Sequence, residues 1–194
     1  MNAHGCLGEH SRAGALVLTT LWLFVSQASA SQVRSVNLEE MTARAGAIFS
    51  GRCLEVRTVT DPTIGRDVSV AKFEVHRAVK GATGRTVTVR MLSGDDGFAD
   101  VPMFARGEDV VLFLYRESSL GLRSPVGLGQ GRFKVASGKN GRSIAVNEFA
   151  NRNLLRKLSP MAKARLAHAH QARDDDQQLD PDALLDMAEA LVAP

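Results

Sequence analysis

An alternation of apolar and polar residues with a period of two predicts a long β-strand over Asp67–Val79. Ala71, Phe73 and Val75 share one face of this strand, and polar side chains between them occupy the other face. A glycine-rich turn follows, and Thr86–Leu92 repeats the alternation. Two such strands joined by a short glycine loop are typical of a β-hairpin. The centre of the chain is therefore predicted to form an antiparallel sheet.

Further strands are predicted on both sides of this hairpin. They are Ala47–Val59, Asp109–Tyr115, Arg132–Ala136 and Ser143–Asn147, with Leu122–Val126 as a candidate to resume the sheet between the second and the third. Gly51 predicts a bulge or sharp bend in the first of them, and Ile144 and Val146 are predicted to point inward in the last. Asp109–Tyr115 is almost continuously apolar, which indicates a strand covered on both faces. Five or six short strands favour a mainly β fold, with a small closed or partly closed OB-like β-barrel as first choice and a small sandwich as second.

Helices are predicted before and after the strands. Asn37 is expected to cap a helix over Leu38–Ala45, with Glu40 completing a capping box. Ser159 precedes a helix that runs to about Ala172.

Asp180 precedes a last, amphipathic helix. Its apolar stripe consists of Leu184, Leu185, Ala188, Leu191 and Val192. The predicted organisation is a signal peptide at 1–30, an OB-like domain at 31–147 and a helical extension at 148–194.

The first thirty residues carry the three-part pattern of a secretory signal peptide. An apolar run from Ala13 to Val25, interrupted only by two threonines, is followed by small residues that a signal peptidase accepts. The alternative is an uncleaved membrane anchor, for which the run is short because a span needs about 20 residues. Cleavage between Ala30 and Ser31 would leave an exported chain, periplasmic or secreted, with no membrane span.

Cysteine count and charge exclude several classes of protein. Cys6 lies in the predicted signal peptide, so Cys53 alone would remain and no intramolecular disulfide would be possible. The net charge is only +3, although residues 174–194 hold seven acidic residues and no basic one. This concentration of acids near the carboxyl end, with the basic residues elsewhere in the chain, fits a polyanion-binding body with an acidic tail. The basic residues are scattered, however, which favours an ordinary solvated surface. We expect no nucleic-acid partner.

A short helix and five further segments follow one another in a specific order between residue 38 and about residue 136. The segments are Ala47–Val56, Phe73–Gly81, Thr86–Arg90, Phe104–Leu114 and Gly127–Phe133. This order is similar to that of small exported bacterial proteins, and it resembles the netrin-like module of tissue metalloprotease inhibitors, an OB-type barrel. The resemblance implies fold and export. It implies no mechanism, because those inhibitors present an N-terminal cysteine to a protease zinc and the predicted mature terminus here is Ser31.

Two groups of residues carry chemistry-bearing side chains, but a structural role is the favoured interpretation of both. Cys53 could act as a nucleophile only with a base such as His76, and burial as a small apolar side chain is the favoured interpretation. His168 and His170 lie two residues apart on a predicted helix, so they face different sides and no metal site is expected.

Three glycines between residues 127 and 131 precede a strand rather than a helix. That position does not fit a dinucleotide-binding loop. These glycines are instead predicted to let backbone segments cross closely.

The loop 93–107 is the predicted surface site, because it is longer than ordinary connections. It contains Asp95, Asp96 and Asp100, whose oxygen atoms could bind calcium, although their spacing does not match an EF-hand. A solvated loop is the favoured interpretation of these three carboxylates.

We therefore expect an exported, non-catalytic binding module without metal or other cofactor, whose partner is another envelope or secreted protein. The first alternative is a protease inhibitor or accessory protein that acts through the loop 93–107 or the N-terminal segment. A hydrolase would need a pocket that joins Cys53 or the loop aspartates to His76. A polyanion binder would show an affinity that falls steeply with salt.

Overall fold

The computed structural model describes residues 34–93, 104–138, 141–169 and 179–192. The elements are α1 (Leu38–Arg44), β1 (Ala47–Asp61), β2 (Arg66–Lys80), β3 (Thr86–Leu92), β4 (Asp109–Leu114), β5 (Arg132–Ser137), β6 (Ser143–Asn147), α2 (Pro160–Ala169) and α3 (Pro181–Val192). The predicted mainly β fold, with a short early helix and helices near the carboxyl end, is confirmed. The predicted signal peptide and Asp95, Asp96 and Asp100 lie outside the described residues.

The six strands form one antiparallel sheet in the order β3-β2-β1-β4-β5-β6. The sheet is not closed into a barrel, so the closed form of our first choice is wrong. The predicted strand Leu122–Val126 does not form, because proline has no N–H to donate and Pro125 makes only an isolated bridge with Leu114. The N–H of Arg123 donates to the carbonyl of Arg90 in β3 at 2.7 Å. This connection therefore reaches the edge of β3 without closing the sheet.

The predicted irregularity at Gly51 is confirmed as a shift in the pairing of β1 with β2. Ser50 lies opposite Arg77 and Gly51 lies opposite Val75, so His76 is the extra residue of a β-bulge. A Cβ atom at Gly51 would lie 2.2 Å from a β2 carbonyl oxygen, which explains why only glycine fits there.

Two hydrophobic clusters cover opposite faces of the sheet. Val111 and Phe113 of β4 face a cluster shared with all three helices, whereas Val110 and Leu112 face a second cluster. The predicted burial of this strand on both faces is therefore confirmed. In the second cluster, the Phe73 ring meets the Phe104 ring edge-on at 4.9 Å.

The three helices begin at their predicted caps. The side chain of Asn37 accepts a hydrogen bond from the Glu40 N–H at 2.9 Å, and Asp180 caps α3 in the same way. Ser159 Oγ accepts from the Ala162 N–H at 3.1 Å, and the Glu39 carboxylate of α1 accepts from both the N–H and the hydroxyl of Ser159. None of the helices in the described ranges is long and apolar enough to cross a bilayer.

Three buried amide side chains join the amino-terminal segment to the strands. Gln130 Oε1 accepts from the Val36 N–H at 2.7 Å, while its amide group donates to the Arg34 carbonyl. Asn147 donates to the Gln130 carbonyl, and Asn151 accepts from the Asn147 N–H. Because these partners are neutral, the joint carries no titratable side chain of its own.

The predicted orientation of β6 is wrong. Ala145 and Asn147 are buried, whereas Ile144 and Val146 are only partly buried. The Ala145 N–H donates to the Leu179 carbonyl at 2.7 Å, and its carbonyl accepts from the Asn151 amide. Because Leu179 and Asn151 come this close to β6, the small Ala145 and the hydrogen-bonding Asn147 occupy its covered face.

Candidate functional site

Cys53 and His76 do not form a catalytic pair. Cys53 is fully buried in the second cluster, as predicted, and its thiol donates to the Glu55 carbonyl at 3.6 Å. Burial raises the pKa of this thiol, which opposes formation of the nucleophilic thiolate. His76 lies on the exposed side of the bulge instead, in a groove whose lining does not include Cys53. His168 lies within α2, and His170 lies outside the described residues.

The groove around His76, called the α3 groove, encloses about 540 Å³ between the sheet and the start of α3. Its lining residues come from β1, β2, β4, β5, β6 and the cap of α3. They are Ser50, Gly51, His76, Arg77, Asp109, Val110, Val135, Arg142, Ser143, Asp180, Pro181 and Asp182. The bulge opposite Gly51 brings His76 into this lining, because a bulge re-aims the side chain of its extra residue.

One wall of the α3 groove is a fixed ion pair. Arg52 Nε and Nη2 donate to the two oxygen atoms of Asp109 at 2.8 and 2.6 Å. The Arg52 hydrogen bonds, together with the charges of Arg52 and His76, hold the pKa of Asp109 below its usual value. Asp109 is therefore an anchored carboxylate, unsuited to act as a general acid near neutral pH.

Two opposite charges of the α3 groove have no ion-pair partner in the described part of the chain. Arg142 precedes β6 and Asp182 lies in the first turn of α3, and both side chains are exposed. Arg77, by contrast, binds Asp186 and Glu189 of α3, each at 2.7 Å. The groove thus offers one positive and one negative group to a ligand, beside the apolar Val110 and Val135.

A second ion pair is buried, and its acid directly precedes the groove residue Asp109 in the chain. Glu108, next to Asp109, accepts two hydrogen bonds from Arg132 at 2.8 Å, and the Arg132 side chain is only 3% exposed. The guanidinium carbon lies 5.3 Å from the centre of the Phe104 ring. These contacts fix β5 against the start of β4 and leave little of the pair accessible to a ligand.

A cleft at the amino-terminal side is larger, about 680 Å³, but its groups are mostly engaged with one another. The Glu40 carboxylate pairs with Arg34 and Arg44. The Asn37 amide donates to the carbonyl oxygens of Arg156 and Lys157. This cleft is a joint between α1 and the segment before α2.

The glycines 127–131 allow a close crossing of backbone, as predicted. A Cβ atom at Gly131 would lie 2.6 Å from the Val126 carbonyl oxygen and 2.9 Å from that of Phe113. Gly127 adopts a φ of 65°, which glycine tolerates without strain. The motif therefore shapes the turn into β5.

Sequence reasoning missed the α3 groove, because its residues are spread from position 50 to position 182. The one available signal was Gly51: the predicted bulge implies that a residue of the partner strand is re-aimed, and that residue is His76. In the described residues, no group of three potential metal-ligating side chains occurs. No protein-family model matches the chain, and the search of curated proteins finds no similar sequence.

Proposed function

We propose that the protein is an exported, non-catalytic binding module that holds a segment of another envelope or secreted protein in the α3 groove. The observation that carries this proposal is a pair of exposed charges on one groove, Arg142 and Asp182, which have no ion-pair partner among the described residues. A polypeptide segment that carries both an acid and a base complements such a pair.

The rigidity of the groove supports recognition rather than chemistry. Asp109 is held by Arg52, and Arg77 is held by two acids of α3, so their positions are set before a ligand arrives. Preorganised polar groups lower the cost of binding. The buried Cys53, with its raised pKa, offers no activated nucleophile.

A crosslinking experiment tests the proposal on the full chain, expressed in an exporting host. A photo-reactive amino acid replaces Ser143 in the groove, and the matched control replaces Ser119, an exposed serine in the turn after β4. We expect one dominant crosslinked polypeptide from position 143 and none from position 119. Equal crosslinking from both positions, or no crosslinked polypeptide, would contradict the proposal.

Charge reversal then tests the groove with the purified partner. Arg142→Glu is expected to weaken binding by about tenfold, and Asp182→Lys by a similar factor, because each loses one complementary charge. Arg106→Glu is the control for Arg142→Glu, since it makes the same change of net charge on an exposed turn. Equal weakening by the control would show only a general charge effect. If the partner is cleaved and the cleavage depends on these groove residues, the protein is an enzyme and not a binding module. If the partner is a protease whose activity is inhibited, the inhibitor alternative is favoured.

A further inference from the structure

The outer edge of β3 exposes backbone groups between Thr86 and Arg90. Arg85 accepts from the Val75 N–H of β2, and Ser93 donates to the Asp67 carbonyl of β2, so odd-numbered residues of β3 direct their backbone groups towards β2. In an antiparallel pair, alternate residues direct both N–H and C=O to the opposite edge. Thr86 and Thr88 therefore direct both groups outward.

The two edges of the sheet are treated differently. At the β6 edge, Ala145 bonds to the Leu179 carbonyl and the Asn151 amide, and the Asn147 N–H bonds to Asn151. At the β3 edge, the Arg90 carbonyl accepts from the Arg123 N–H, and no other described residue bonds to the outward groups from Thr86 to Arg90. Proteins usually cover or interrupt such an edge, so an edge that the described residues leave open beside one that they cover points to a use for the open one.

We infer that the edge from Thr86 to Arg90 accepts an extended segment of another polypeptide as an additional antiparallel strand. Outward N–H and C=O groups at alternate positions match the backbone of an extended segment, which adds to a sheet edge as a further strand. Thr86 and Thr88 have exposed, uncharged side chains that allow a strand to approach. This surface is separate from the α3 groove, and neither proposal depends on the other.

Charge indicates the direction and composition of that segment. Arg85 is exposed immediately before β3, and it has no ion-pair partner in the described ranges. The carboxyl-terminal end of an antiparallel segment lies beside the amino-terminal end of β3, which places an acidic residue at that end next to Arg85. A second copy of the chain fits less well, because the carboxyl-terminal end of its own β3, which would lie beside Arg85, carries Arg90 and no acidic residue.

Synthetic peptides test this edge. The probe is a labelled Thr-Val-Thr-Val-Thr-Asp peptide, titrated with the full chain by fluorescence polarisation up to millimolar concentration. We expect binding that weakens at least fivefold when the aspartate is moved to the amino-terminal end. N-methylation of one alternate set of residues should abolish binding, and N-methylation of the other set should leave it within about twofold. Absence of binding, or equal effects of the two methylated peptides, overturns the inference.

Two variants locate the site. Thr88→Pro removes the outward N–H at a position where an edge strand tolerates proline, and it should abolish peptide binding. Thr88→Ala keeps the backbone and should bind like the parent protein. Thermal unfolding checks that the proline variant is folded, and Thr86→Pro replaces it if it is not. Undiminished binding by a folded proline variant overturns the inference. Dimerisation of the chain alone that Thr88→Pro abolishes would assign the edge to a second copy and would likewise overturn it.

Discussion

Glu108 and Asp109 are adjacent carboxylates with opposite environments. Glu108 binds the buried Arg132, whereas Asp109 binds Arg52, whose side chain is 52% exposed. Arg52 binds Asp109 through two nitrogen atoms, Nε and Nη2, in the two-pronged geometry that makes Arg–carboxylate pairs specific, whereas Arg132 reaches both oxygen atoms of Glu108 from Nη2 alone. Arg–carboxylate pairs therefore serve two purposes at the start of β4: the buried pair stabilises the fold, and the exposed pair holds a charged group in the lining of the α3 groove.

The largest expected effect comes from Arg132→Met. It leaves the Glu108 carboxylate largely buried without its main partner, which typically costs about 3–5 kcal/mol of unfolding free energy. Urea denaturation followed by circular dichroism measures the loss. The double variant Arg132→Met with Glu108→Met should be considerably more stable than the single variant, because no buried charge remains. A double variant as unstable as the single one would show that packing, and not charge, dominates this site.

Matched amide substitutions compare the two carboxylates directly. Glu108→Gln should cost about 2 kcal/mol, because it weakens hydrogen bonds to a buried charged group. Asp109→Asn should cost at most about 1 kcal/mol, because its pair is partly solvated. Both values come from denaturant unfolding under the same conditions. Equal costs would remove the distinction between a fold-fastening pair and a groove-facing pair.

A third carboxylate, Glu39, should give an intermediate and pH-dependent effect. The backbone and hydroxyl hydrogen bonds from Ser159 hold the Glu39 pKa below its ordinary value. A group whose pKa is lowered in the folded state stabilises the protein at pH values above its unfolded pKa. This stabilisation is lost as the pH falls through the folded pKa. Glu39→Gln should therefore cost about 1 kcal/mol at pH 7, and the difference should shrink below about pH 4.

Unfolding measurements at several pH values test this dependence. Glu55→Gln serves as the control, because its carboxylate is 61% exposed. A difference between Glu39→Gln and the parent protein that stays constant down to pH 2 would mean that the charge of Glu39 has no part in the capping.

The smallest effect on stability is expected from Arg52→Leu, since this pair is exposed. Its measurable consequence is a rise in the Asp109 pKa towards the ordinary value of an aspartate, because the main cause of the lowering is removed. Carbon-13 NMR titration of the Asp109 carboxyl group follows that change. An unchanged Asp109 pKa would transfer the cause to His76 or to another neighbour of the groove.

The sequence predicted the strands better than their assembly. The bounds of β3 and β6 were predicted correctly, because glycine-containing turns and alternating residues delimit both. The predicted strand Leu122–Val126 did not join the sheet, because Pro125 has no backbone N–H to donate. The face of β6 could not be predicted from apolar size, because Leu179, which is distant in the chain, and the nearby Asn151 both bond to Ala145 and favour it on the covered side.

The candidate site was less accessible from sequence than the fold. Gly107-Glu108-Asp109 lies in one of the segments that carry the resemblance. Glu108, however, binds an arginine 24 residues away, and Asp109 binds one 57 residues away. Charged pairs at such separations leave no periodic signal. The acidic loop 93–107, which sequence length favoured as a surface site, has its three aspartates outside the described residues, and it remains a prediction.

Gln130 also determines how the fold responds to force. A pull on the chain ahead of Arg34 first loads the hydrogen bonds between Gln130 and the backbone of Arg34 and Val36. Asn147, bonded to the Gln130 carbonyl, passes that load to β6, and the Arg34–Glu40 ion pair and the Leu38 N–H bonded to the Leu154 carbonyl share it. A chain held at its amino-terminal side would therefore transmit force directly to residues in the middle of its own sequence.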